Sequence, residues 1–333
     1  MKLKTNSDFY DVTVIGGGPV GMFAAFYAGL RDAKVQIIES LASFGGQVSA
    51  LYPYKTILDV GGYAGISGKQ LVAKLSRQLK TMHPDVKLHQ TVIDVQPVSG
   101  GYRIVTDRSV TKTKAIVIAC GNGAFNPRHL MAKGASQLTG QRLFYSVTDL
   151  SRFKDRTVLV AGGGNSAIDN ALLLEKVARR VYLLHRRNSF RGLEKMVDRL
   201  KQSQVRLITP YLIRQLDLTK DGKILITAKK MRTQDDLKKV KIDDVVVNYG
   251  FIASDRTLRR WHVKLAEAHR RIKTNVQLQT NLPNVYAVGD AAVYPGKDTL
   301  IATGLGEVPV AVNSIMRHLY PRRRMPLHST MLK

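Results

Sequence analysis

Two short glycine clusters carry the residues best suited to chemistry. In "VTVIGGGPVG", Gly16, Gly18 and Gly21 follow an apolar run and lead into another, "MFAAFYAGL", with Pro19 inside the turn. In "VLVAGGGNSA", Gly162, Gly164 and Ala167 repeat the arrangement, with Asn165 and Ser166 inside it. Glycines at this spacing let the backbone approach a pyrophosphate closely, and the free N–H groups of the following helix then face the anion. Alone, such a pattern also describes any glycine-rich turn. Here each lies between an apolar strand and an apolar helix, and a second strand follows both, which predicts two dinucleotide-binding units.

The units differ where a ribose would lie. Glu39 stands 23 residues after Gly16, at the end of "KVQIIE", where a carboxylate can accept both ribose hydroxyl hydrogens. His185 stands 23 residues after Gly162, at the end of "VYLL", with Arg186 and Arg187 next. An acid at that place repels a phosphate on the ribose 2′ oxygen, whereas arginines pair with it through charge-assisted hydrogen bonds. Arg191 is positioned to add to the clamp. The competing reading is a solvated basic strand end. The first unit is therefore predicted to take a nucleotide with a free 2′ hydroxyl, and the second NADP(H).

Two such units in one chain imply electron transfer between two cofactors, and "LPNVYAVGDAA" points to FAD as the first. Its short strand ends at Asp290, an acid able to bind the ribityl chain while the helix expected to follow faces the phosphates. Read alone, Asp290 is also an ordinary helix N-cap. "AIVIACGNG" is a further apolar strand closing on a glycine turn, as expected where the chain leaves one nucleotide domain for another.

The elements that must position these residues fit into 333 residues as two domains. The single cysteine, Cys120, excludes an internal disulfide, a Cys-x-x-Cys pair and a multi-cysteine zinc site, and it suits a reducing cytoplasm. The longest uncharged run, Val12–Leu30, is long enough to span a membrane, but "GGGP" would break a spanning helix there. Asp8 and Asp11 ahead of it also spoil a signal peptide, so a soluble protein is expected. Net charge is +27, about half of it from residues 121–240, which suits acidic partners, nucleic acid or anionic membranes alike. Arginines at a cofactor position, with no zinc-finger or RNA-recognition signature, argue against nucleic acid.

"GGGPVG", "FGGQVSALYP", "GNGAFNPR", "GGGNSAIDNAL", "HRRNSFR", "VYAVGD", "IATGLGEVPVAVNSI" and the tail "PLHST" run over nearly the whole length. Together they resemble the two-dinucleotide-binding flavoproteins of the thioredoxin reductase family, and within it the thioredoxin-reductase-like ferredoxin (flavodoxin)–NADP reductases. One departure separates the chain from true thioredoxin reductases. In "FYSVTDL", Tyr145 and Thr148 stand where those enzymes carry two cysteines, so a dithiol relay is unavailable.

The resemblance implies an α/β fold of two Rossmann-like three-layer nucleotide-binding domains, the NADP(H) domain inserted in the FAD domain. The FAD domain would comprise residues 1–121 and 248–333 and the NADP(H) domain 124–244, with "NGAFNP" and "NYGF" as linkers. It further implies that Gln47 and Tyr52 line the flavin, with the Tyr52 ring stacked on it, that Val92 contacts the adenine region and Phe125 the flavin end. His328 and Thr330 in the tail would cover the other flavin face. Tyr52 also reads as a core aromatic, and the tail after "RRR" as solvated chain. The implied activity passes a hydride between NADPH and FAD and single electrons between FAD and ferredoxin or flavodoxin, in a cytoplasmic homodimer. A strongly basic surface would steer such an acidic partner. An NADPH-dependent flavin reductase of a quinone, a ferric chelate or another protein shares every motif.

Overall fold

The structure, a computed structural model, describes residues 9–121, 123–233, 236–254 and 256–323. The chain divides into two units, one of Met1–Ser49, Thr56–Ala124 and Ala253–Lys333, the other of Ala50–Lys55 and Phe125–Ile252. Among the described residues, no helix is long and apolar enough to cross a membrane.

The first unit opens with β1 (Tyr10–Ile15), the glycine turn, α1 (Pro19–Leu30) and β2 (Val35–Ile38). β1 and β2 are buried almost throughout because parallel strands are covered on both faces, and the buried Gln36 amide donates to Thr13 Oγ1 at 2.7 Å. They pair in parallel with Val12 opposite Val35 and Ile15 opposite Ile38, so the glycine turn emerges beside Glu39. On the other side of β1 lies β3 (Val110–Ile118), with Ile15 opposite Ile118. Asp85–Lys87 extends the sheet beyond β2, and the hairpin of Val92–Val98 and Gly101–Thr106 extends it beyond the first half of β3.

The second unit repeats the opening as β4 (Thr157–Ala161), α2 (Asn165–Leu174) and β5 (Arg180–Leu184), with β6 (Asp244–Val247) on the far side of β4. Its parallel sheet runs Leu143–Phe144, β6, β4, β5, Arg206–Ile208. Successive side chains point to opposite faces, and both faces are filled. Val158, Val160 and Leu183 pack with Ile168 and Ala171 of α2. Leu159, Ala161 and Leu184 pack instead with Ile213, Ile224 and Ile226 of a three-stranded antiparallel sheet built from Tyr211–Leu218, Ile224–Lys230 and Leu237–Ile242. The result is a three-layer unit.

The chain then returns to the first sheet as β7 (Val285–Ala287) and closes with α3 (Ile301–Leu319). β7 pairs in parallel with the second half of β3, Ala287 opposite Ile118. β1, β3 and β7 therefore end at one edge, where open α/β sheets bind ligands. The last crossing back to the first unit falls between Ile252 and Ala253. β6 is a full member of the second sheet, and the Asn248 N–H continues its ladder by donating to the Ala161 carbonyl at 2.7 Å.

Trp261 anchors the first unit. It is 1% exposed, packs with Ile15, Ile38, Val92 and Ile104, and its indole N–H donates to the Val92 carbonyl at 3.3 Å. Trp261→Ala is expected to cost about 3–5 kcal/mol, and Trp261→Phe distinctly less, in urea unfolding followed by circular dichroism. Equal losses for both would mean that the ring volume does not hold this core.

Candidate functional site

In the first unit the third glycine of the turn is set by a close approach. A Cβ on Gly21 would lie 1.9 Å from the Gly16 carbonyl oxygen. A Cβ on Gly18 would meet nothing within 4 Å, so the space above the helix start is open. α1 has no side-chain cap, and Pro19 at its first position forfeits only an N–H that would have no partner inside the helix. The second unit matches this. α2 also lacks a side-chain cap, and a Cβ on Gly164 would meet nothing within 4 Å. Two open, uncapped helix starts behind tight turns fit a pyrophosphate each.

Around the first turn the chain assembles most of the expected residues. Glu39 is 6% exposed and folds back onto Gly17, whose N–H it accepts at 2.6 Å. Its other oxygen accepts from the Leu41 N–H at 2.8 Å. The Gly45 N–H donates to the Gly17 carbonyl at 2.8 Å, which seats the helix Gly46–Leu51, and with it Gln47, beside the turn. The amide of Gln47 reaches to 3.5 Å from where a Cβ of Gly121 would stand. Asp290 arrives from β7 through Gly289, whose Cβ position lies 3.3 Å from Val20 in the first turn of α1.

Asp290 departs from expectation in one respect. It lies inside a single 3-10 turn, Gly289–Ala291, whose N-cap is Val288, and no long helix follows directly. The chain instead pairs Ala292–Val293 with Arg271–Lys273, and this strand carries it away before α3 begins at Ile301. Asp290 is thus neither an N-cap nor the start of a phosphate-facing helix.

The remaining expectations fall as follows. Val92 is 5% exposed and packs with Ile15 and Ile38 at the ends of β1 and β2. Tyr52 follows the helix Gly46–Leu51 and is half-buried, in the segment grouped with the second unit. Phe125 falls in the short strand Ala124–Pro127, and its side chain is outside the described features, as are His328 and Thr330 altogether. Burial pushes the Cys120 thiol up to about 11, with the Glu39 charge adding to it, so the sulfur is protonated at neutral pH. Tyr145, at a former cysteine position, accepts the Leu130 N–H at 3.3 Å and meets the His129 ring edge-on at 5.0 Å.

In the second unit the loop after β5 folds back over the turn. The Arg191 N–H donates to the Gly163 carbonyl at 2.7 Å, and the Leu193 N–H donates to Asn165 Oδ1 at 2.9 Å. Asn165 therefore pins the arginine loop to the helix start, while Ser166 stays exposed and Ala167 is fully buried. His185 is 7% exposed and lies over Gly163, where a Cβ would come within 2.4 Å of its ring nitrogens. It stacks on Phe190 at 5.6 Å between ring centroids. Burial, then the charges of Arg186, Arg191 and Arg187, hold its pKa below the ordinary 6.5. Its Nε2 is buried without a hydrogen-bond partner among the described residues. Arg186, Arg187 and Arg191 are exposed, and no carboxylate among the described residues pairs with them. The imidazole is a neutral floor and the three guanidiniums are the available charge.

Two residues here escaped the sequence reading. Phe190 had a signal only in "NSF" after the arginines. Tyr249, read merely as part of a linker, follows β6 with its hydroxyl buried and unpartnered among the described residues. Burial pushes that phenol up to about 12, against the pull of the Arg186 charge.

Comparison with known proteins now bears on the pair of cradles. Residues 10–314 match the pyridine nucleotide-disulphide oxidoreductase family. The chain belongs to that family. It is 51% identical to a Lactiplantibacillus plantarum protein named ferredoxin–NADP reductase, over 96% of this chain and 97% of that one. A Levilactobacillus brevis protein of the same name is 49% identical, over 98% of each. The solved thioredoxin reductase of Lactococcus lactis, in its FR conformation, is 25% identical with a TM-score of 0.78, covering 94% of this chain and 99% of that one. This member of the family carries a single cysteine, Cys120.

The depressed His185 has a consequence for stability. Above the unfolded value near 6.5 both states carry a neutral ring, and nothing is lost. As pH falls below it, the unfolded chain takes up a proton that the folded chain refuses, so stability drops with pH. Urea unfolding of the nucleotide-free protein is expected to show wild type losing stability relative to His185→Gln as pH is lowered from 7.5 to 5. Parallel pH curves for the two would contradict a neutral, buried imidazole.

Proposed function

We propose that the chain is an FAD-dependent oxidoreductase that moves electrons between NADPH and ferredoxin or flavodoxin. The observation that carries this reading is one cradle built twice with opposite charge at the equivalent place. Glu39 lies on the first turn, and His185 with Arg186 and Arg187 lies on the second. The first unit then holds FAD, with Glu39 at the ribose, Val92 near the adenine, Gln47 along the flavin and Asp290 at the ribityl chain. The second holds NADP(H), with Arg186, Arg187 and Arg191 on the 2′-phosphate.

Bound FAD supplies what the side chains lack, taking two electrons as a hydride and releasing them singly. The protein's part is to bind and orient. The turn N–H groups face each pyrophosphate, the Gly17–Glu39 and Gly163–His185 contacts set the depth of each ribose, and the arginines select the phosphorylated coenzyme. Cys120, the single cysteine and held protonated by burial, offers no thiolate relay. The relatives' name supports ferredoxin as the acceptor, and the +27 charge supports an acidic partner. The reading includes a cytoplasmic homodimer, with the tail residues His328 and Thr330 over the flavin.

The test is anaerobic NADPH-driven reduction of a bacterial-type ferredoxin, coupled to cytochrome c, with the ferredoxin present or omitted and at rising salt. Strong dependence on ferredoxin, weakening with salt, is expected. Flavin reduction by NADPH with no dependence on ferredoxin would replace this acceptor by a quinone, ferric chelate or other protein.

A further inference from the structure

α3 carries a carboxylate that the proposed chemistry does not use. Glu307 is 5% exposed, and every polar contact it makes leads to the turn around Asp290. One oxygen accepts the Gly289 N–H at 2.7 Å. The other accepts the Tyr294 hydroxyl at 2.7 Å and pairs with the Lys297 ammonium. The Lys297 side chain is itself only 2% exposed, although the residue as a whole is half-buried. Lysine is almost never buried to this extent unless paired.

Local sequence explains how the lysine gets there. Tyr294–Pro295–Gly296–Lys297 closes a turn in which the Lys297 N–H donates to the Tyr294 carbonyl at 3.2 Å. Proline at the second place and Gly296 at φ +77° suit a type II turn, which doubles the chain back so that the ammonium reaches Glu307. At the other end of the cluster Gly289 has φ +65°, a backbone state that favours glycine. Gly304, one turn before Glu307 on α3, allows the close approach, since a Cβ there would lie 3.1 Å from the Gly289 Cα and 2.5 Å from Val20.

We infer that Glu307, with Lys297 as its counter-charge, is a positioning residue for FAD, fixing the Gly289–Asp290 turn against α1 without touching the nucleotide. The inference rests on reading the first unit as the FAD site. Stability alone does not call for it, because a buried ion pair can often be exchanged for apolar residues at no loss. What apolar residues cannot supply is an acceptor aimed at the N–H that immediately precedes the ribityl-binding acid. The Lys297 ammonium and the Tyr294 hydroxyl, both on the second carboxylate oxygen, hold that acceptor in place.

Two charge-free double variants separate the possibilities. Glu307→Gln with Lys297→Met keeps an oxygen for the Gly289 N–H, whereas Glu307→Ala with Lys297→Met removes it. FAD affinity of each apoprotein is measured by quenching of flavin fluorescence, with NADP+ affinity and apoprotein melting as controls. The Gln variant is expected to bind FAD nearly as wild type does. The Ala variant is expected to bind about tenfold more weakly, equivalent to about 1.4 kcal/mol, with NADP+ affinity unchanged. Equal FAD affinity in the two, or a loss matched by equal loss of NADP+ affinity, would overturn the positioning role while leaving the FAD site standing. A wild-type apoprotein that takes up no FAD would overturn both.

Discussion

Each nucleotide cradle depends on a side chain lying directly against the backbone of a three-glycine turn. The middle glycine makes this possible. A Cβ on Gly17 would come within 3.0 Å of Glu39, and one on Gly163 within 2.4 Å of the His185 ring. Any larger residue would push that side chain outward and move the ribose with it. The same geometry therefore presents a carboxylate in one unit and an imidazole followed by arginines in the other. In the proposed reading this one exchange selects between nucleotides, since the glycine turns, helix starts and strand registers around it are alike.

The sheets make the exchange usable. Parallel registers bring β1, β3 and β7 to a common edge, so the glycine turn, Gly121 and Asp290 share one end of one sheet although far apart in sequence. The second unit needs fewer crossings. β4, β5 and the loop pinned by Asn165 suffice to gather the turn, His185 and the arginines. Buried ion pairs then hold what sheets alone do not, as Glu307 and Lys297 do around the Gly289 turn.

Much of this was legible in the sequence, and the reason is local. Gly16, Gly18, Gly21 and Glu39, and their counterparts from Gly162 to Arg191, lie within one strand–turn–helix–strand unit, where spacing translates directly into space. What was not legible depends on contacts between distant segments. The strand pairing of Ala292–Val293 with Arg271–Lys273, which delays α3, has no signal near Asp290. β6 joins the second sheet through β4, more than eighty residues earlier, a pairing that no local pattern near Asp244 announces. Lys297 is one of 52 basic residues, and the turn at Gly296 is what sends its side chain inward. The stacked, buried setting of His185 follows from Phe190 and Gly163, which pattern alone does not reveal.

The central claim is that charge at the residue-185 end of β5, against Glu39 at the end of β2, decides which nucleotide each unit takes. The most direct measurement is kcat/KM for NADPH and for NADH in wild type and in Arg186→Ala with Arg187→Ala, with ferricyanide as acceptor. Each lost charge-assisted hydrogen bond is worth about 1.5–3 kcal/mol, so the NADPH preference should fall by at least about tenfold while NADH is used as before. An NADPH preference unchanged in the double variant would contradict the account.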